Sequence, residues 1–125
     1  MNNYSFRPLL STGEKWIIDR IVSGKLKRIG IMTPTARDAR VVANNILDMC
    51  TQDDKPVYSP SRQQLQWGNG ARCYLYSATA IDRIKGMAHD GAWAYRFDAW
   101  ENKGDCMLHL RLSMRPDTEQ EIIVT

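Results

Sequence analysis

Between residues 35 and 50 apolar side chains recur with a helical period. Ala39, Val42, Ala43, Ile46, Leu47 and Cys50 stand at i, i+3, i+4, i+7, i+8 and i+11, a spacing that gathers them on one face of a helix and needs a second layer to cover it. The helix has a start signal. Thr35 is a capping residue, and Asp38 falls in the first turn, where the helix dipole favours an anion. Immediately before it, Arg28-Ile-Gly-Ile-Met32 is short, branched and apolar, as a buried strand is, and Thr33-Pro34 ends it with a residue that cannot continue a ladder. A buried strand that passes within three residues into an amphipathic helix is a unit of a layered α/β fold.

The flanking segments agree. Ser11-Thr-Gly-Glu14 has the pattern of a capping box, predicting a helix to about Val22 with Ile17, Ile18, Ile21 and Val22 on one face, Trp16 beside them and Gly24 as a left-handed stop. Residues 57–76 read as a hairpin region, in which Gln64–Trp67 and Ala71–Tyr76 flank Gly68-Asn69-Gly70 and Asn-Gly supplies positive φ for a tight turn. One helical turn is expected within Ser77–Lys85, a strand over Gly91–Tyr95, a helix over Cys106–Met114 and a last strand over Glu121–Val124. The order implies one α/β domain over residues 1–125, with a mixed, mainly parallel sheet and one hairpin.

Composition limits function. With 125 residues, 43% hydrophobic and 25% charged, the chain suits a single domain with a modest core. It has no apolar run near the ~20 residues of a membrane span and no signal-peptide pattern, so no membrane partner and a cytoplasmic location are expected. Cys50, Cys73 and Cys106 lack paired spacing and are read as free thiols, with no metal site and no cofactor. Trp16, Trp67, Trp93 and Trp100 are read as core rather than a stacking platform, and His89 and His109 as surface or hydrogen-bonded residues. Lys25, Lys27 and Arg28, with Arg37 and Arg40, are candidate contacts for DNA or a partner. A net charge of +3 and pI near 8.9 are small for a dedicated nucleic-acid binder, so DNA contact is expected to be weak.

Two stretches carry a resemblance. Tyr58-Ser-Pro-Ser-Arg-Gln-Gln-Leu-Gln-Trp67-Gly-Asn-Gly-Ala71 and Gly91-Ala-Trp-Ala-Tyr-Arg-Phe-Asp-Ala-Trp100, with Glu14-Lys-Trp16 at a helix start and Ile31-Met-Thr-Pro-Thr35 at a strand-to-helix turn, fall in an order and spacing that resemble the ATPase domain of phage large terminases, motors that package DNA. The resemblance implies a P-loop-NTPase-like three-layer sandwich. It also implies that the chemistry is gone, because the matching positions hold the wrong residues. Counting back from Trp16 puts Pro8, Leu9 and Leu10 where the phosphate-binding Walker A loop has Gly, Lys and Thr, so residues 1–10 read as a degenerate P-loop and first strand. A P-loop needs convergent backbone N–H groups, a lysine for phosphate charge and a hydroxyl for Mg²⁺; Pro8 has no N–H, and the two leucines offer neither charge nor hydroxyl. Lys15 aligns inside the helix.

At the Walker B positions Tyr95 and Arg96 stand where two carboxylates would hold Mg²⁺ and orient water, which reverses the local charge. Asp98 and Glu101 are displaced by several residues from that frame. Ile84-Lys85-Gly86 matches a loop whose arginine acts on a neighbour's nucleotide, leaving Lys85 or Arg83 as finger-like candidates. The chain ends at Ile122-Ile-Val-Thr125, where the family's coupling motif begins, so a domain without the following nuclease is implied. The expectation is a noncatalytic protein of a phage, prophage or satellite, acting by binding in or against viral DNA packaging, with terminase subunits, portal or DNA as partners. The alternatives are a mobile-element inhibitor of a host or rival factor and a divergent packaging ATPase. Oligomeric state is open.

Overall fold

The computed structural model describes residues 4–8, 13–116 and 120–125. Seven strands form one sheet in the order β1-β7-β6-β2-β5-β4-β3: β1 (Tyr4–Pro8), β2 (Arg28–Thr33), β3 (Val57–Ser59), β4 (Gln64–Gln66), β5 (Arg72–Ser77), β6 (Gly91–Ala94) and β7 (Gln120–Val124). The five strands β1, β7, β6, β2 and β5 are mutually parallel. β4 and β3 are antiparallel additions at one side.

Register sorts the side chains. Ile31 faces Leu75 on one side and Trp93 on the other, and Trp93 faces Ile123, so these four share a face. That face packs on helix α1 (Gly13–Val22) and helix α2 (Ala36–Met49) through Trp16, Ile17, Ile21, Ala39, Val42, Ala43 and Ile46. The opposite face carries Met32, Tyr76, Ala92, Ala94 and Ile122 and is covered by helix α3 (Lys103–Leu112) and the 3₁₀ turn Ala78–Ile84. The result is a three-layer α/β sandwich with a mixed, mainly parallel sheet, as the element order implies.

Most local signals act as expected. Thr35 caps α2, its side chain accepting from the Asp38 N–H at 3.3 Å. At the end of α1, Gly24 takes φ +76°, with its N–H on the Ile21 carbonyl at 3.1 Å and the Lys25 N–H on that of Arg20 at 3.0 Å, the paired bonds of a Schellman stop. Ser11, the expected cap of α1, lies outside the described residues. All four tryptophans are buried.

Several expectations need correction. The helix expected from Cys106 begins at Lys103, because Asn102, in the left-handed region at φ +52°, starts it one turn early. Val22 is exposed rather than on the packed face. In the hairpin turn Gly70 has positive φ and Asn69 does not. Asn69 contributes through its side chain, whose Oδ1 accepts from the Ala71 N–H at 3.0 Å and whose Nδ2 donates to the Ile21 carbonyl at 3.4 Å. The expected single hairpin is a three-stranded antiparallel unit, since β3 pairs with β4. How the first strand is replaced, which the sequence leaves open, is answered by a five-residue strand at Tyr4–Pro8 beside β7, and an edge strand is where a proline is accommodated. Leu9 and Leu10 lie outside the described residues.

Candidate functional site

In open α/β sheets ligands settle at the carboxyl ends of the parallel strands. Here that edge is formed by the ends of β1 at Pro8, β7 at Val124, β6 at Ala94, β2 at Thr33 and β5 at Ser77. Tyr95 and Arg96, which the resemblance would set at Walker B positions, follow β6 directly and reach this edge.

What they do there is pack and pair. Trp93, fully buried, donates from Nε1 to Thr125 Oγ1 at 3.1 Å and lies against the first turn of α1. A Cβ built on Gly13 would overlap its indole ring, so glycine is needed for the helix to start this close to the sheet. The Tyr95 ring stands edge-on to Trp93 at 5.1 Å, and its N–H donates to the Met32 carbonyl at 2.9 Å. Arg96 adopts the left-handed region at φ +49° and forms an ion pair of 3.7 Å with Asp38 in the first turn of α2. Asp38 also accepts from Thr35 Oγ1 at 2.9 Å. Thr33, buried, donates to the Thr35 carbonyl at 2.7 Å. The loop after β6 is closed by Trp100 Nε1 on the Tyr95 carbonyl at 2.8 Å and by backbone bonds between Thr125 and both Ala94 and Phe97.

Among the described residues the carboxylate in contact with Arg96 is that of Asp38, and it is engaged by this cation and by the Thr35 hydroxyl. Asp98 and Glu101 are exposed. No group of three or more His, Cys, Asp or Glu residues suited to a metal occurs among the described residues. Burial raises all three thiols, Cys73 most strongly, Cys106 also through Asp105 and Cys50 also through Asp54; none is poised as a nucleophile. All three are free.

The finger-like candidates are both engaged. Arg83 donates to the Leu75 carbonyl at 2.9 Å, to the Arg62 carbonyl at 3.2 Å and to Gln63 Oε1, with its guanidinium 5.8 Å from the Tyr76 ring centre, so it staples the loop before β4 to β5. Lys85 pairs with Asp82 at 3.0 Å, which holds that carboxyl below its usual range. Among the basic candidates, Lys25 and Lys27 are exposed, whereas Arg28 is half-buried over the Tyr74 ring at 5.4 Å. These three sit at the amino end of β2, and Arg37 and Arg40, exposed on α2, follow its carboxyl end. Roughly 16 Å of strand separates the groups, so they do not form one patch.

Sequence reasoning missed a buried polar chain. Ser113 donates to the Leu110 carbonyl at 2.7 Å, which leaves its oxygen to accept from His89 Nδ1 at 2.8 Å; Nε2 then accepts from the Tyr76 hydroxyl at 2.8 Å. The Tyr74 and Tyr76 rings stand edge-on to the imidazole. Burial, followed by the charge of Arg28, lowers His89 to about 4, and burial raises Tyr76 well above the usual phenol range. With all three side chains buried, the chain pins the sheet to the end of α3 in the neutral state. Spacings of 13 and 24 residues gave no signal for it.

No family model and no characterised protein matches the sequence, and no helix among the described residues is long and apolar enough to cross a membrane. Solved structures do match. The large terminase ATPase domain of a Thermus phage is similar with a TM-score of 0.54 at 15% identity, over 98% of this chain and 59% of that one. A point mutant of the same domain gives a TM-score of 0.54 at 14% identity over the same shares. The chain thus spans 59% of the length of the domain it matches, and its α/β sandwich is similar in fold to that phage terminase ATPase domain.

Proposed function

We propose that this chain is a terminase-ATPase-like scaffold that acts by binding rather than by hydrolysing ATP, in or against viral DNA packaging. The observation that carries this reading is the occupancy of the carboxyl edge. Two-carboxylate metal chemistry needs anions after β6, and that place holds Tyr95, packed on Trp93, and Arg96, paired with Asp38. A triphosphate with its metal would meet a cation where the metal must sit and an indole against the first turn of α1. A scaffold whose edge is filled by its own side chains is suited to presenting surfaces, and the likeness in fold to a packaging ATPase points to packaging components as partners.

The test is direct. Titration calorimetry with Mg·ATP at millimolar nucleotide and a phosphate-release assay should show neither binding nor turnover. Saturable nucleotide binding that Tyr95→Ala abolishes would overturn the reading. Affinity capture from infected cells should recover a terminase subunit or portal; an unrelated host protein in its place would turn the assignment to an inhibitor.

A further inference from the structure

We propose that the uncovered face of the antiparallel unit binds an extended, acidic segment of a partner protein. Lys55 and Arg62 would receive its carboxylates, and Ser59 and Gln66, both half-buried, its backbone, with the buried Gln64 beneath them. The inference rests on the binding-scaffold reading and names the chemistry of the partner.

Register defines the surface. Val57 lies opposite Gln66 and Ser59 opposite Gln64, so these four side chains share one face, the face that α3 and the 3₁₀ turn cover further along the sheet. Over β3 and β4 it is a groove of about 570 Å³ bounded by Lys55 and Arg62. Its charge has one sign. No carboxylate lines the groove, and neither Lys55 nor Arg62 makes an ion pair among the described residues. The nearby Asp54 is bonded to Thr51 at the end of α2. Two cations without an ion-pair partner among the described residues, set around polar neutral groups, attract an anionic partner.

The neutral groups narrow its class. Glutamine amides donate and accept, as peptide groups do, whereas a phosphodiester oxygen can only accept. Val57, 73% exposed, offers a seat for an apolar side chain between the cations. A base-binding surface would need open aromatic rings. Here Trp67 is buried, and the Tyr74 ring is covered by Arg28 and edged by His89. Strand addition at the outer edge is disfavoured, because β3 has three residues and is bracketed by Pro56 and Pro60. The face, not the edge, is the receptor.

The experiment is a selection of displayed random peptides on the intact protein, followed by anisotropy and amide-shift mapping with the selected peptide. The expected peptides carry Asp or Glu around an apolar residue, shift the amides of Ser59, Gln64 and Gln66, and bind more weakly as salt rises. The double variant Lys55→Glu, Arg62→Glu should bind about tenfold more weakly or worse while keeping the native circular dichroism and melting temperature. Selected peptides without acidic bias, shifts outside the groove, or undiminished binding by the double variant would each overturn the proposal. So would a labelled oligothymidylate that displaces the peptide from the groove with higher affinity. Nucleotide titration of the same sample reports on the noncatalytic reading separately, so either can fail alone.

Discussion

The carboxyl edge of the parallel strands and the face of the antiparallel unit each present arginine and polar side chains and end in opposite states. At the edge, Arg96 has Asp38, Thr33 and Thr35 satisfy one another, and aromatic rings stand against the start of α1. On the face, Lys55 and Arg62 lack ion-pair partners among the described residues and border a groove that Gln66 lines and at whose base Gln64 is buried. The edge is completed by internal contacts, and the incomplete surface lies elsewhere.

That contrast is open to attack at both ends. The largest effect belongs to the closed region. Trp93→Ala removes a fully buried indole that touches α1, the end of β7 and Tyr95, and should cost roughly 3–5 kcal/mol in urea unfolding. A loss below about 1 kcal/mol would mean that the edge is not closed by packing. Next in size is an acid transition. His89 lies below its ordinary value when folded, at about 4, so as pH falls the unfolded chain takes up this proton first. The contribution is complete above about pH 6.5 and lost by about pH 4, on the order of 3 kcal/mol in all. Unfolding measured across this window should show that slope, and His89→Gln should flatten it. The smallest effect belongs to the open region. Lys55→Gln and Arg62→Gln should each shift stability by less than about 0.5 kcal/mol; a larger loss would show that the face is structural rather than free.

How much of this was legible in the sequence differs by kind of signal. The α2 stripe, the Thr35 cap, the Gly24 stop and the buried strand at Ile29–Ile31 are local, and local chemistry fixes them. The sandwich follows from their order. Pairings between distant residues were hidden. Arg96 meets Asp38 across 58 positions, Arg83 is absorbed by carbonyls 8 and 21 residues away, and His89 joins Tyr76 to Ser113. Only the sheet brings these together, and none has a helical or strand period. The groove was hidden for a different reason. Gln64 and Gln66 read simply as strand residues, and only the register of β3, β4 and β5 sets them on one face with Val57 and Ser59.

One tether has a mechanical consequence. Asn69 at the hairpin turn grips the Ile21 carbonyl near the end of α1, and the opposite end of that helix rests by Gly13 on Trp93. A ten-residue helix is a rod of about 15 Å. The hairpin turn and the indole beneath the first turn of α1 are thus joined to opposite ends of one short rod, which fixes the tilt of that helix on the sheet from both sides.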